Sequence, residues 1–227
     1  MTRVLKILIL STAKASGLFR LARRLTRHKL RIVGYHGVWF LDGHYGDRRL
    51  SSGSRLFMKA ETFQRRMEWL HASRYPVLSL SEAVDRLYDG SLPDCALVIT
   101  IDDGWFGTYR HMLPILERLS LPATIYVWTE AVEAQLPIPN IFVRLLCRET
   151  DAHVLELDAT EAGGESVVLP LDTVMARERA ADQLGEILQD MDWPGRLAFC
   201  KFLDSRMNGS LDVINASRQL HNMTYEE

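Results

Sequence analysis

The chain has 227 residues, 47% of them hydrophobic and 25% charged, a composition that supports a buried core and excludes a disordered or fibrous protein. Its net charge of −2 gives no general case for nucleic-acid binding, but the charge is unevenly spread. Residues 1–31 carry nine Lys or Arg and no acid, which leaves the rest with 18 bases against 29 acids.

In chain order, the opening "MTRVLKILILSTAKA" has a basic start and an apolar run, Ile7 to Leu10, too short for a signal-peptide core or a membrane span of about 20 residues. Beyond it, Leu18, Leu21, Ala22 and Leu25 share one helical face and Arg20, Arg23, Arg24 and Arg27 the other, so residues 1–29 read as a basic amphipathic helix. Three readings stay open: attachment to an anionic membrane surface, a solvated helix packed on the domain, or a cleaved signal. The expected location is cytoplasmic or peripheral at a membrane rather than secreted.

From residue 30 the sequence alternates short apolar runs with helix-period segments, the pattern of parallel β/α units. "LRIVGYH" is predicted as the first strand, followed by a Gly-rich loop through residue 54, then a helix over "AETFQRRMEWLHAS" with Phe63, Met67 and Leu70 inward. "YPVLSL" is predicted as the second strand, Ser79 and Glu82 as a capping box, and "EAVDRLYDG" as a helix ending at Gly90. "ALVITI" is the third expected strand, 108–119 a helix facing inward through Leu113, Leu116 and Leu119, and "ATIYVW" the fourth strand. After residue 130 the rhythm breaks into an insertion at about 131–215: a hairpin turning at Gly163 and Gly164, then helices near 173–190 and 194–206, with no further parallel strand. In the final "NMTYEE", Thr224 and Glu227 are spaced as a capping box that opens a helix. Cys95, Cys147 and Cys200 are odd in number and in no Cys-x-x-Cys arrangement, so they read as small buried hydrophobes rather than a disulfide or zinc-thiolate set.

The chemistry concentrates where "ALVITI" runs into Asp102, Asp103 and Gly104. In parallel α/β proteins the carboxyl ends of the strands form the functional face. Adjacent strand residues point to opposite sides, so the two carboxylates meet one pocket only if the chain bends, which Gly104 permits. Like charges this close repel unless a cation lies beside them, and a division of labour suits the pair: one binds the ion and the other takes a proton from water. The plain alternative is a turn in which one Asp caps the next helix.

"VITIDDGWFGTYRHMLPILERLSLPATIYV" resembles the first motif of the NodB-type polysaccharide deacetylases, carbohydrate esterase family four, whose pattern is T-F-D-D-G, a helix, and a strand beginning P-A-T-F. "RIVGYHGV" is similar to that family's first strand, and "NASRQLHNMTYEE" to a segment ahead of its second motif. The resemblance implies an α/β fold, a partial (β/α) barrel over residues 30–227, and metal-dependent hydrolysis of N-acetyl groups on a polysaccharide. It implies Asp102 as general base and Asp103 as ligand of a divalent metal, zinc or a similar ion, with an N-acetylated glycan as partner and no nucleic acid. His36 and Trp105 are candidate substrate-binding residues, each with a structural alternative: a hydrogen-bonded strand-end histidine and a packed ring.

The family's H-x-x-x-H metal motif has no counterpart, since no two of the seven histidines are four apart; its Arg-x-Pro-Tyr segment and late Leu-His are also missing. The expectations are therefore a chain cut short before those motifs, an incomplete metal site, an open sheet edge and little activity alone. The rival expectations are a non-catalytic remnant at a membrane surface that binds glycan or a partner, and an unrelated Mg²⁺-dependent hydrolase or phosphotransferase.

Overall fold

The structure is a computed structural model that describes residues 3–39, 57–134, 138–207 and 222–224. Two helices open the chain, α1 (Arg3–Ala15) and α2 (Leu18–Leu25). The single helix expected here is broken at Gly17, whose φ of 76° is a left-handed conformation that glycine adopts without steric cost. The leucines of α2 stay exposed, while Arg23 on the same helix reaches Cys95 and Tyr75 of the body. No described helix is long and apolar enough to cross a membrane.

The central sheet has three parallel strands in the order β1-β4-β5: β1 (Arg31–Tyr35), β4 (Leu97–Ile101) and β5 (Thr124–Ile125). The middle strand is buried at all five positions, which explains why "LVITI" is a continuous apolar run rather than an alternation. Two short strands, β2 (Gly37–Trp39) and β3 (Phe57–Lys59), pair in parallel beside it. A Cβ at Gly37 would lie 2.3 Å from the Phe57 ring, so only glycine lets these strands approach. The Gly-rich loop expected between them lies outside the described residues.

Two of the four expected strands are shorter than the sequence suggests. "YPVLSL" forms a single bridge, Val77 to Leu97, in which Leu97 N–H donates to Pro76 O (3.0 Å) and Leu78 N–H to Leu97 O (2.9 Å). Pro76 has no N–H to extend the ladder, and Ser79 turns the chain into a helix two residues after the bridge. "ATIYVW" contributes only β5, with one further bond from Tyr126 N–H to Ile101 O (2.8 Å).

The helices α3 (Ala60–Ala72), α4 (Leu80–Tyr88) and α5 (Leu113–Arg118) follow β3, the Val77 bridge and β4 respectively. Helix α3 buries Ala60, Phe63, Met67 and Leu70, the stripe its periodicity predicts. These pack with Tyr35, Ile99, Ile101, Met112 and Leu116 in one core, where Tyr35 and Phe63 meet edge to face at 5.1 Å. The cap of α4 is as expected on one side: Ser79 Oγ accepts from Glu82 N–H at 3.2 Å. The Glu82 carboxylate pairs with Arg86 at 2.8 Å. The predicted helix over 108–119 begins as a five-residue π-helical stretch, Thr108–Met112, before α5.

The stretch expected as an insertion contains a second core. It comprises α6 (Thr129–Ala134), α7 (Pro139–Glu149), the antiparallel hairpin β6 (Val154–Leu157) and β7 (Val167–Pro170), α8 (Val174–Gln189) and α9 (Trp193–Arg206). Phe142, Leu146, Leu157, Leu169, Leu184 and Leu203 are buried together, with Trp105 reaching in from the end of β4. Arg144 bridges Glu178 (2.6 Å) and Asp182 (2.5 Å) across α7 and α8, and Arg148 Nε donates to Glu178 at 2.7 Å. Arg177 donates to the carbonyls of Arg148 and Thr150 at 2.7 and 2.8 Å, which satisfies orphan acceptors where α7 ends, and to that of Leu171, just past β7, at 2.7 Å. All three cysteines are free and buried, as expected. The capping box read at Thr224 and Glu227 falls partly outside the described residues.

Candidate active site

Asp102 is the first residue past β4, and its N–H still donates to Tyr35 O at 2.8 Å, so the pairing of β1 with β4 carries one step beyond the strands. That step sets His36 beside Asp102. His36 Nε2 lies 3.5 Å from Asp102 Oδ2, with the two side chains 33% and 37% exposed. The parallel register, with Tyr35 opposite Ile101, accounts for the placing of His36 beside Asp102. Tyr126 occupies the next register position on the opposite edge, past Ile125, and is exposed. His36, Asp102 and Tyr126 therefore lie in a row across the carboxyl ends of three strands.

The bend that the aspartate pair requires starts at Asp103 itself. Asp103 has φ 69° and Gly104 φ 61°, two consecutive left-handed residues, of which the first is unusual for a residue with a Cβ. Within this turn Asp103 Oδ2 accepts from Trp105 Nε1 at 3.2 Å. Asn222 supports the same turn: its Nδ2 donates to Asp103 O, Met223 N–H donates to Gly104 O at 2.7 Å, and Trp105 and Asn222 form an antiparallel bridge. Gly104 is confined as well, because a Cβ there would meet Val127 Cγ1 at 2.8 Å.

Trp105 differs from the sugar-contacting role considered for it. It is 2% exposed and packs edge to face on Phe57 at 5.1 Å, so its ring has no open face, and its polar edge orients Asp103. Trp128 pairs with Trp193 at 4.7 Å against the insertion's core. Asn222 is the site residue the sequence did not single out. It is 1% exposed and 119 positions from the carbonyl it binds, and a lone Asn carries no motif.

The donor set can be tested against a metal. Asp103 offers a half-buried carboxylate, with Asp102 and His36 adjacent, but no group of three or more His, Cys, Asp or Glu among the described residues is arranged to hold an ion. A catalytic zinc takes three protein ligands, so the described residues alone do not fit a closed zinc site, and no chemical step is derived through one. The chain's own groups can do something simpler: Asp102 can accept a proton from a water at the strand ends, and His36 stands within reach of the same carboxylate to share it.

No protein-family model matches the chain. It is 31% identical over 100 residues to "Putative polysaccharide deacetylase YxkH" of Bacillus subtilis (strain 168), a match covering 44% of this chain and 32% of that protein. The chain thus spans about a third of the curated relative it matches. Among solved structures it is similar to the Streptococcus pyogenes deacetylase PplD in complex with acetate (24% identity, 47% of this chain and 45% of that one, TM-score 0.41). It is also similar to IcaB from Ammonifex degensii (18% identity, 77% and 80%, TM-score 0.37). Structural likenesses at those scores support no conclusion by themselves; the sequence match and the motif do. The chain is thus similar over 100 residues to a putative polysaccharide deacetylase, and its Asp-Asp-Gly triplet stands at the end of a buried parallel strand.

Proposed function

We propose that this chain belongs to a hydrolase that removes N-acetyl groups from a polysaccharide, with Asp102 as its general base. The observation that carries the reading is the Asp102–Asp103 turn, with each carboxylate given a different partner: His36 for Asp102, the Trp105 indole for Asp103. A carboxylate beside an imidazole suits proton transfer from an attacking water and back to the departing amine. A carboxylate oriented by a buried N–H suits a fixed ligand. In this reading Asp102 is the general base, and Asp103 would be one ligand of a divalent ion, zinc or a similar one, held only with further ligands beyond the described donors; when bound it would polarise the acetyl carbonyl and acidify water. The three-stranded sheet is the corresponding part of a (β/α) barrel, with residues 131–215 inserted into it.

The test is acetate release from N-acetylated oligosaccharides with added Zn²⁺ or Co²⁺. Turnover is expected to be low in this 227-residue chain and to fall by about 100-fold or more in Asp102→Asn, the range a general base contributes. Turnover indifferent to Asp102, or none with any ion, overturns the hydrolytic reading. The lack of a three-donor group among the described residues favours a second reading, a non-catalytic module that binds glycan or a partner. Glycan binding without acetate release is its signature. Mg²⁺-dependent turnover of phosphate esters is the sign of the phosphotransferase alternative.

A further inference from the structure

The two N-terminal helices present an arrangement that the hydrolase reading does not use. On α2, at about 100° per residue, Leu18, Leu21 and Leu25 lie within a narrow arc while Arg23 lies well round the helix from them. Arg23 is the residue that meets the body: its Nε donates to Cys95 Sγ at 3.4 Å and its guanidinium sits 4.5 Å over the Tyr75 ring. Just beyond α2, Arg27 and His28 reach Asp94 at 3.3 and 2.9 Å, and Cys95 N–H donates to Arg27 O at 2.6 Å. The helix is thus mounted by its cationic side, opposite to the usual docking of an amphipathic helix on its own domain. The leucine edge is left outward, with Leu18 and Leu21 each 54% and Leu25 73% exposed.

Helix α1, which precedes α2 directly, also exposes apolar residues: Ile7, Leu8 and Leu10 are each more than half exposed. Lys6 and Lys14 on α1 and Arg20 and Arg24 on α2 are exposed on the same two helices, and no acid occurs in the first 31 residues. We infer that α1 and α2 seat this chain on an anionic lipid surface, with Leu18, Leu21 and Leu25 entering the interface and the flanking Lys and Arg meeting the headgroups. Charge complementarity selects this occupant. Two such arms repel one another, whereas anionic lipid satisfies the cations and the leucines at once. At 13 and 8 residues the helices lie on a bilayer rather than cross it, since a span needs about 20.

The test is co-sedimentation of the 227-residue chain with vesicles of phosphatidylcholine alone or mixed with phosphatidylglycerol. The chain is expected to sediment with the mixed vesicles, to remain in solution with the neutral ones, and to be released by added salt. The double variant Leu21→Glu, Leu25→Glu is expected to reduce the bound fraction at least about tenfold, with an unchanged thermal melt showing that the body still folds. Equal sedimentation of that variant, or no sedimentation with anionic vesicles, overturns the proposal. So does lipid-free self-association that the same variant abolishes, which would assign the leucine edge to a second copy of this chain. Acetate release plays no part in any of these readouts, so the outcome is separate from that of the hydrolase reading.

Discussion

At the scale of the residue, the site depends on a backbone reversal that the side chains around it make possible. Asp103 and Gly104 are both left-handed, and residues held there cost of order 1–3 kcal/mol each unless surroundings enforce them. Gly104→Ala is expected to destabilise the protein by about 1–3 kcal/mol, because it adds a left-handed Cβ and drives it onto Val127, 2.8 Å away. A urea titration measures it. Asn222→Ala is expected to leave the fold cooperative but to loosen the turn, so the indole N–H signal of Trp105 should shift in a proton NMR spectrum while the core methyl signals stay in place. The Asp-Asp-Gly triplet was legible because an apolar run ending in two acids sets like charges together at a strand end, an arrangement that repels itself without a cation or a sharp turn. His36 was legible only as a strand-end residue, because its pairing with Asp102 needs the register of β1 on β4. Asn222 was not legible, since its contact spans 119 positions and nothing local marks it.

At the scale of the element, the helices followed their periodicity and the strands did so less well. Helix α3 buried the residues its spacing named, and the hairpin β6–β7 turned where the paired glycines stand, Gly163 being left-handed at φ 75°. The second strand failed for a local reason: Pro76 and the Ser79 cap flank Val77 and leave room for one bridge. The pairs β2 and β3 escaped notice because three-residue strands are too short to show an alternation. Ser79→Ala is expected to cost about 1 kcal/mol, by removing the acceptor for Glu82 N–H. Leu184→Ala, in the middle of α8 and fully buried, is expected to cost about 2–5 kcal/mol. Chemical denaturation of each variant gives the comparison.

At the scale of the whole molecule, two cores meet at the active-site strand. One lies between the sheet and helices α3 and α5, the other inside the insertion, and Trp105 belongs to the second while its indole holds Asp103. Packing in the insertion therefore bears on the geometry of the aspartate turn. The insertion also holds two thiols, Cys147 and Cys200, whose pKa values burial pushes up to about 12. A thiol in the unfolded chain ionises near about pH 8.5, so the folded state binds more protons above that pH. The resulting stability is fully present below about pH 8.5 and is lost progressively as pH rises toward 12. The double variant Cys147→Ala, Cys200→Ala should flatten that alkaline decline when denaturation midpoints are compared between neutral and alkaline buffer.

The central proposal is that the Asp102–Asp103 turn faces a divalent ion. It is tested most directly by titrating Mn²⁺ into the 227-residue chain and following line broadening by NMR, which registers even weak ion binding. The account predicts selective broadening at Asp102, Asp103, the Trp105 indole and His36, abolished by Asp103→Ala. Broadening centred elsewhere, or unchanged in that variant, would contradict it.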